Sequence, residues 1–321
     1  MKALVITRPG GPDVLAVVDR PKPEPRGDEI LVRIFAAGVN RADLMQREGR
    51  YPAPPDSPQD IPGLEFSGVV DAIGPGVTAR KVGQRVFGLV GGGAQAEYLL
   101  TREHLSMLLP DAVADIDAGA IPEAYVTAHD ALYTQGALAR GERVLIHAVG
   151  SGVGIAALQL AKARDCTVFG TSRTADKLER ATALGLDVAI DPAATPFDEI
   201  ARDIDVVIDF IGAPYLEQNL KALRTRGRLI VVSTLGGTAA SLPLRTLMTK
   251  RLRINGTMLR ARPYDEKVEA TRAFEREGVP LLANGSMRVP VDGVFKLEDA
   301  AEAHERIAKD RNFGKLVFSL V

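Results

Sequence analysis

The pattern of apolar and polar positions divides the chain into two regions. The first third holds short β-like segments separated by Gly-Pro, Pro-x-Pro and Gly-x-Gly sequences, which are typical of turns. This pattern predicts a β-rich region. The predicted strands are Lys2–Ile6, Ile30–Ala36, Phe66–Ile73, Arg85–Leu89 and Gln95–Leu100.

From about residue 115 the pattern changes to alternating helices and strands. It begins with a stretch of helical spacing, Asp117–Leu138. The strands that follow are almost continuously apolar, which is typical of a sheet covered by helices on both faces. Strands are predicted at Arg143–Ala148, Thr167–Thr171, Asp205–Phe210 and Arg228–Ser233, and helices at Gly152–Ala163, Thr174–Leu184 and Tyr215–Leu223.

This alternation predicts a doubly wound α/β domain with a right-handed parallel sheet. Leu252–Met258 is expected to form an edge strand of that sheet. The chain then closes with a helix, a strand, a second helix and a last strand. These are predicted at Tyr264–Leu282, Met287–Phe295, Leu297–Lys309 and Lys315–Val321.

Composition excludes several classes of protein. The 321 residues are 46% hydrophobic, which suits one large or two medium domains. The 40 Lys and Arg balance 41 Asp and Glu, so no net field favours nucleic acid or an anionic membrane. The single cysteine, Cys166, excludes an intramolecular disulfide and a cysteine-cluster metal site, and it favours the cytoplasm. We expect neither a membrane span nor a signal peptide, because no apolar run is long enough.

A glycine turn carries the first candidate chemistry. The stretch VLIHAVGSGVGIAALQLAKA runs from a predicted strand through Gly150, Gly152 and Gly154 into a predicted helix. Without side chains at these positions, a pyrophosphate can reach backbone N–H groups at the positive end of the helix. Glycine turns also serve plain strand–helix packing, but the strand and helix on either side favour a dinucleotide site.

The tip of the next predicted strand indicates which dinucleotide. Sites that prefer NAD place an acidic residue there, about 20 residues past the glycines. This chain offers Ser172 and Arg173 instead, with Lys177 one helical turn later. Arginine can bind a 2′-phosphate in a bidentate manner, and lysine adds a point charge. Both cations could also be ordinary exposed residues at a helix start, but the missing acid favours NADPH.

Several stretches of the sequence are diagnostic when taken together. They are GVNRADLMQREGRYP (38–52), IPGLEFSGVVDAIGPGV (61–77), VGQRVFGL (82–89), AIPEAYVTAHDAL (120–132), AVGSGVG (148–154) and NFGKLVF (312–318). Over essentially its whole length the chain resembles the medium-chain dehydrogenase/reductase superfamily, and within it the zeta-crystallin-like quinone oxidoreductases. The run NRADLMQR (40–47), the LRAR segment (259–262) and Ser151 are most similar to the branch induced by stress and by a tumour suppressor.

The resemblance implies a fold of two domains. A GroES-like, β-rich catalytic domain would span residues 1–120 and be completed by residues 265–321. A Rossmann domain that binds NADPH, residues 121–264, would be inserted between these parts. In this family the edge strand pairs with its twin across a two-fold axis, so we expect a homodimer through residues 252–258.

The resemblance also predicts that the protein needs no zinc. Zinc-dependent members carry Cys and His where this chain has Asn40 and Leu64. Phe87–Glu97 is too short for the structural four-cysteine lobe of those members. Without three or four suitable ligands there is no zinc site, and an alkoxide would lack its stabiliser. A quinone or conjugated carbonyl needs less help, because its own delocalised system spreads the charge that hydride delivers.

The candidate catalytic residues lie in the first motif. Tyr51 is expected to donate a hydrogen bond to the acceptor oxygen, while Asn40 and Asp43 shape the pocket. Tyr51 could instead be a loop tyrosine packed on prolines, and Asn40 and Asp43 could be strand-end and helix-cap residues. The four histidines lack a second ligand at metal spacing and are expected to be structural.

The expected cofactor contacts combine these motifs with positions that the resemblance implies. They are Thr127, Ser151, Gly152, Val153, Gly154, Ser172, Arg173, Lys177, Phe210, Ile211, Gly212, Ser233, Leu235, Gly236, Arg260, Phe313 and Lys315. Many relatives also place a tyrosine against the adenosine phosphate, where this chain has Ala189–Pro192. That contact is therefore expected to be missing.

Two alternatives to quinone reduction remain open at this point. An NADPH-dependent reductase of 2-alkenals or enones would use the same cofactor and pocket. Relatives also serve as crystallins, and some bind RNA, so a cofactor-binding structural protein is a different class of answer. Balanced charge and the lack of a basic stripe with interleaved aromatics argue against nucleic acid as the main partner.

Overall fold

The computed structural model describes residues 1–320, which form two compact units. Unit 1 comprises Met1–Val126 and the segment that begins at Leu259, and unit 2 comprises Thr127–Met258. The limits of these units lie a few residues from the predicted domain boundaries at 120 and 264. Within residues 1–320, no helix combines the length and the apolar character that crossing a membrane requires.

Strands supply most of unit 1, and strands alternate with helices in unit 2. Within residues 1–320 the strands are β1 (Lys2–Ile6), β2 (Leu15–Asp19), β3 (Glu29–Val39), β4 (Glu65–Ile73), β5 (Arg85–Leu89), β6 (Tyr98–Arg102), β7 (Ser106–Leu108), β8 (Arg143–Ile146), β9 (Thr167–Thr171), β10 (Val188–Ile190), β11 (Ile204–Asp209), β12 (Leu223–Val231), β13 (Arg253–Gly256), β14 (Val291–Phe295) and β15 (Lys315–Ser319). The α-helices are α1 (Arg41–Arg47), α2 (Asp115–Ala118), α3 (Pro122–His129), α4 (Gly152–Lys162), α5 (Ala175–Ala183), α6 (Phe197–Ile200), α7 (Leu216–Ala222), α8 (Leu244–Lys250), α9 (Tyr264–Glu277), α10 (Val279–Ala283) and α11 (Ala300–Ala308).

Unit 1 is built around a mainly antiparallel sheet. Its strand order is β14-β15-β3-β4-β5-β7, with β6 also paired to β3, while β1 and β2 form a separate ribbon. The long strand β3 pairs with β6 over one half and with β15 over the other. Its core includes the buried side chains of Ile30, Phe66, Val86 and Phe318. β15, the last strand within residues 1–320, is therefore an internal strand of unit 1.

Unit 2 contains a six-stranded parallel sheet in the order β10-β9-β8-β11-β12-β13. Counted from β8, the order is 3-2-1-4-5-6, the arrangement of dinucleotide-binding folds. Its core includes Leu145, Phe169, Val207 and Leu229. The predicted doubly wound fold is confirmed, and β13 lies at an edge of the sheet as expected.

Several predicted elements have different limits in the structure. The predicted helix Asp117–Leu138 is wrong as one element, because the chain forms α2, then α3, and then a π-helical turn at Asp130–Gln135. Pro122 begins α3, since proline suits the first turn of a helix but not its interior. The predicted helix Tyr264–Leu282 is likewise divided into α9 and α10, with Pro280 in the first turn of α10.

Other differences concern strand limits and short elements. The sixth strand begins at Tyr98 rather than Gln95, and β12 begins at Leu223 rather than Arg228. The predicted strand Met287–Phe295 starts at Val291, and the final strand ends at Ser319. Val321, included in that prediction, lies outside the described residues. The pattern did not predict the short elements β2, β7, β10, α1, α6 and α8.

Candidate active site

The joint between β3 and α1 places Asn40 and Asp43 in the interior of unit 1. The Asp43 carboxylate accepts hydrogen bonds from the backbone N–H groups of Asn40 at 2.8 Å and Gly63 at 3.1 Å, and from Gln95 Nε2 at 3.3 Å. Its side chain is fully buried, and burial raises the pKa of Asp43 to about 6. Asp43 therefore holds three chain segments together and exposes no atom to a ligand.

Asn40 belongs to a buried group with Glu65 and Lys315. Glu65 Oε1 accepts hydrogen bonds from Asn40 Nδ2 at 2.9 Å and from Lys315 Nζ at 2.5 Å. The same ammonium group donates to Asn40 Oδ1. The first residue of β15 thus supplies the cation for a carboxylate on β4. Position 38 must be glycine here, because a Cβ on Gly38 would lie 2.0 Å from Glu65 Oε1.

Glu123, in the first turn of α3, completes this group. Its backbone N–H donates to Glu65 Oε2 at 2.8 Å, which fixes the start of the helix. Its side chain is partly exposed. Removal of water by the surrounding protein raises the pKa of Glu123 to about 7, and the charges of Glu65 and Asp43 act in the same direction against Lys315.

Tyr51 lies on the loop after α1 and is held by Arg260. Arg260 donates from Nη1 to the Tyr51 carbonyl oxygen at 3.0 Å and from Nε to the Gly91 carbonyl oxygen at 2.8 Å. The side chain of Tyr51 is half-buried, and burial raises its pKa. The Tyr51 hydroxyl therefore remains protonated at neutral pH and can donate a hydrogen bond.

The glycine turn of unit 2 joins β8 to α4. Ser151 is the N-cap of α4, and its Oγ accepts a hydrogen bond from Gly154 N at 3.1 Å. A Cβ on Gly154 would lie 2.5 Å from the Ala148 carbonyl oxygen, so glycine permits the tight turn. Gly152 and Val153 are partly exposed in the first helical turn, where N–H groups lack partners within the helix. The turn therefore fits a pyrophosphate group.

The residues predicted to bind a 2′-phosphate lie beside this turn. Lys177 passes over Gly150, where an added Cβ would lie 2.9 Å from Lys177 Cβ. Arg173 is exposed at the end of β9, and Ser172 Oγ accepts the Thr174 N–H at 3.3 Å. The structure thus brings together the glycine turn and the tip of β9, which lie apart in the sequence.

A second pair of loops follows β11 and β12. Asp209 Oδ1 accepts hydrogen bonds from Ile211 N at 2.7 Å and Gly212 N at 3.1 Å, which fixes the turn at Phe210–Gly212. Leu235 N donates to the Phe210 carbonyl oxygen at 3.2 Å, and Gly236 N to that of Ile211 at 2.8 Å. A pocket of about 220 Å³ opens here, lined by Asp209, Gly212, Val231, Thr234, Gly237 and Ile254 among others.

A buried series of hydrogen-bonded polar side chains stabilises the loop after β11. Asn219 Nδ2 donates to Asp209 Oδ2 at 3.1 Å, so Asn219 Oδ1 is the acceptor for His147 Nε2 at 2.7 Å. His147 Nδ1 then accepts from Thr171 Oγ1 at 3.0 Å. Burial lowers the pKa of His147 to about 4, so the ring stays neutral. These side-chain hydrogen bonds link the ends of three neighbouring strands, β9, β8 and β11. Sequence reasoning did not predict them.

Four further predicted cofactor contacts have clear surroundings. Arg260, Phe313 and Lys315 lie in unit 1, where each side chain is buried. Lys315 belongs to the Asn40 group, and Arg260 to the Tyr51 loop. Thr127 is partly exposed on α3.

Comparisons with known proteins identify the family. Residues 26–111 match the family model described as an alcohol dehydrogenase GroES-like domain, and residues 152–275 match that described as a zinc-binding dehydrogenase. The chain is 32% identical over 332 residues to a quinone oxidoreductase of Lama guanicoe, with 100% of this chain and 98% of the relative covered. The chain belongs to the medium-chain dehydrogenase/reductase family.

Other relatives and solved structures agree. The synaptic vesicle membrane protein VAT-1 homolog of Danio rerio is 31% identical over 339 residues, which cover 99% of this chain and 70% of that protein. A quinone oxidoreductase from Pseudomonas syringae pv. Tomato DC3000 superposes with a TM-score of 0.89 at 28% identity, with 99% of each chain covered. A mycobacterial protein solved with NADPH gives a TM-score of 0.87 at 29% identity, with 99% of this chain and 100% of that one covered.

These findings place the protein among the quinone oxidoreductase-like members of its family. It is an oxidoreductase with a nicotinamide dinucleotide cofactor, and the glycine turn of unit 2 suits such a cofactor. Within residues 1–320, no three His, Cys, Asp or Glu residues are grouped so that they could hold a metal ion.

Sequence reasoning missed Glu123, Glu65 and Asn219 as members of these sites. Glu123 follows a proline at a helix start. Acidic residues are common there because their negative charge interacts favourably with the positive end of the helix dipole. Its position therefore gave no sign of a functional role. The available signal was Glu65, a carboxylate inside an otherwise apolar strand, which requires a partner.

Proposed function

We propose that the protein is a zinc-independent quinone oxidoreductase that uses NADPH as its hydride donor. The observation that carries this proposal is the buried group of Asn40, Glu65 and Lys315. By the family resemblance, position 40 carries a zinc ligand in zinc-dependent members. Here both ends of the Asn40 amide are engaged, by Glu65 and by an ammonium group. Leu64, at the second such position, is buried and apolar.

The chemistry expected of this site matches an acceptor that stabilises its own charge. When bound, NADPH supplies hydride. Tyr51, held by Arg260, can donate a hydrogen bond to the acceptor oxygen as negative charge develops there. Asn40 and Asp43 position the start of α1, which leads to the Tyr51 loop. A quinone or a conjugated carbonyl needs no more than this, whereas a simple alcohol would.

The choice of NADPH over NADH rests on the tip of β9. Arg173 and Lys177 provide two cations near the glycine turn, and Ser172 adds a hydroxyl. A 2′-phosphate at this position would gain charge-assisted hydrogen bonds. An acidic residue, which would repel that phosphate, is not present between Gly170 and Thr174.

We further propose that two copies associate through the edge strand predicted at residues 252–258. The strand β13 leaves one edge of the sheet without a partner strand in the described chain. Met258 is 54% exposed just after this strand, and Met248 is 74% exposed before it. Unpaired edges and exposed apolar side chains are typical of association surfaces. We also propose that the protein is located in the cytoplasm and that nucleic acid is not its main partner.

The test is oxidation of NADPH and NADH, followed by nicotinamide absorbance, with a panel of acceptors. The panel holds 1,4-benzoquinone, 9,10-phenanthrenequinone, 1,2-naphthoquinone, a 2-alkenal and a simple aldehyde. We expect quinone reduction with NADPH well ahead of NADH, unchanged after dialysis against a chelator. Turnover of the alkenal without quinones would replace the proposal with an enone reductase. Loss of activity on chelation would refute zinc independence.

A further inference from the structure

Unit 1 contains an excess of one acidic group in the region around Glu123. The carboxyl groups of Asp43, Glu65 and Glu123 interact there with the cations Lys315 and Arg260. With every group ionised, this region would carry one net negative charge. A buried net charge is unfavourable, so one proton on one of the three carboxyl groups relieves it.

Hydrogen bonds decide which carboxyl group holds that proton. Asp43 accepts three N–H donors, and Glu65 accepts two side-chain donors and one backbone donor. Among residues 1–320, no donor reaches the side chain of Glu123. Donors to a carboxylate stabilise its ionised form. The proton therefore resides on Glu123.

Glu123 is also the acid of this group that solvent can reach. Asp43 and Glu65 are both 0% exposed, whereas the side chain of Glu123 is partly exposed. In its ionised form, Glu123 acts through its charge to raise the pKa of the half-buried Tyr51. A protonated carboxyl group that is partly exposed can give its proton to a bound molecule and regain one from water.

We propose that Glu123 is the proton donor to the acceptor substrate. This inference rests on the proposed function. The acceptor gains hydride from NADPH, and the electron pair delivered leaves its oxygen anionic. The O–H bond of the Glu123 carboxylic acid then breaks, and its proton forms a new O–H bond on the acceptor. With a quinone this gives the hydroquinone, and with an alkenal or enone it gives an enol that tautomerises to the saturated carbonyl compound. Water returns a proton to the carboxylate, which Lys315 and Arg260 stabilise in the interval.

The donor role also ranks acceptors. A general acid helps most when the oxygen it protonates becomes strongly basic. The enolate formed from a 2-alkenal or enone is a stronger base than the anion of a reduced benzoquinone. Loss of Glu123 is therefore expected to slow alkenals more than benzoquinone. For each variant, the ratio of kcat/KM with an alkenal to kcat/KM with benzoquinone does not depend on the fraction of enzyme that is active.

The experiment compares Glu123→Gln and Glu123→Asp with the wild-type protein. Glutamine keeps the shape of the side chain but cannot donate a titratable proton. Asp117→Asn serves as the matched control, because Asp117 is a partly buried carboxyl group on the preceding helix and burial also raises its pKa. Circular dichroism checks that each variant is folded. The readouts are kcat/KM from pH 5 to 9, the solvent isotope effect, and carbon NMR of protein labelled at the glutamate carboxyl carbons.

We expect wild-type kcat/KM to fall above about pH 7, where Glu123 loses its proton. Glu123→Gln should lower kcat/KM by about 100-fold with an alkenal, lose this pH limb and lose the solvent isotope effect. Glu123→Asp should retain a pH limb, and Asp117→Asn should match the wild type. In the NMR spectrum of the cofactor-free protein, one glutamate signal should titrate near neutral pH and vanish in Glu123→Gln.

Three results would overturn the inference, each in a different way. If the wild type reduces the acceptors and Glu123→Gln keeps its rate and pH profile, the donor role is wrong while the proposed function stands. If the wild type binds NADPH but reduces no acceptor, the proposed function fails and the donor role fails with it. Absence of a glutamate signal that titrates near neutral pH would show that Glu123 does not hold the proton.

Discussion

The side chain of Arg260 contacts both the backbone and the aromatic ring of Tyr51. Its Nη1 donates to the Tyr51 carbonyl oxygen at 3.0 Å, and its guanidinium carbon lies 4.9 Å from the centre of the tyrosine ring. The guanidinium group thus fixes the loop and also favours one orientation of the ring, since cations are attracted to aromatic faces. Arg260 is accordingly a positioning residue for Tyr51.

The first prediction concerns the Tyr51 hydroxyl. Tyr51→Phe removes one hydrogen bond, worth about 1–2 kcal/mol, so kcat/KM for quinones should fall roughly 5- to 30-fold. Arg260→Lys should lower kcat/KM in the same direction, because lysine cannot reproduce the planar contact with ring and carbonyl. Steady-state kinetics with 1,4-benzoquinone measure both changes. Unchanged kinetics in Tyr51→Phe would remove Tyr51 from the reaction.

The second prediction concerns selectivity for the phosphorylated cofactor. Arg173→Ala should weaken NADPH binding about tenfold, since a charge-assisted hydrogen bond at an exposed site is lost. Lys177→Ala should act in the same direction, and neither change should alter binding of NADH. Fluorescence titration with each cofactor measures the effect. Arg180→Ala, an exposed arginine further along α5, is the matched control. Equal weakening of NADPH and NADH would contradict the assigned role.

The third prediction concerns stability in acid. Arg47 Nη1 lies 3.2 Å from His304 Nδ1, and burial, with the Arg47 charge, lowers the pKa of His304 to about 3. As the pH falls below about 6.5, His304 binds a proton in the unfolded chain but stays neutral in the folded chain until about pH 3. The free energy of unfolding therefore decreases as the pH falls through this range. At pH 4.5, two pH units below the pKa of the unfolded chain, this loss is about 3 kcal/mol.

Urea unfolding from pH 7 to 4.5 tests this contribution. His304→Gln should have a smaller loss of stability on acidification than the wild type. Glu123 and Asp43, whose pKa values are raised by burial, oppose the trend, because they favour the folded state as the pH falls from about 7 towards 4. The informative quantity is therefore the difference between variant and wild type. Parallel pH profiles would show that His304 is not responsible.

The fourth prediction concerns association at the edge of the sheet. Met258→Glu would place like charges near a two-fold axis through β13 and should convert the dimer to single chains. Light scattering across a dilution series measures the mass. Val82→Glu is the control, because Val82 is 60% exposed in unit 1. A wild-type protein with the mass of one chain at every concentration would contradict the proposed dimer.

The parallel-sheet domain could be predicted closely because its signal is local. Thr167–Thr171 was predicted to the residue, since a short apolar run between a helix and a polar turn has few alternative structures. The glycine turn was recognisable for the same reason. By contrast, α3 and the π-helical turn after it read as one continuous helix, because apolar spacing does not distinguish these forms.

The buried group of Asn40, Glu65 and Lys315 could not be predicted from the local pattern. Glu65 and Lys315 are 250 positions apart in the chain and meet only because β15 pairs with β3. Sequence reasoning placed Lys315 with the cofactor and did not connect it with Asn40. It also passed over Glu123, whose role depends on which neighbouring acids receive hydrogen bonds. That information exists only in three dimensions.

The position of β15 has a consequence for synthesis on the ribosome. All six strands of the parallel sheet have been translated once Gly256 is made, so that sheet can form while the chain is still growing. The antiparallel sheet must wait for its internal strand β15, which is translated after all strands of the parallel sheet. Until Lys315 emerges, the Glu65 carboxylate has no ammonium partner, and its burial is costly. We therefore expect the parallel sheet in the middle of the sequence to form first on the nascent chain, before the antiparallel sheet that contains the beginning of the sequence is complete.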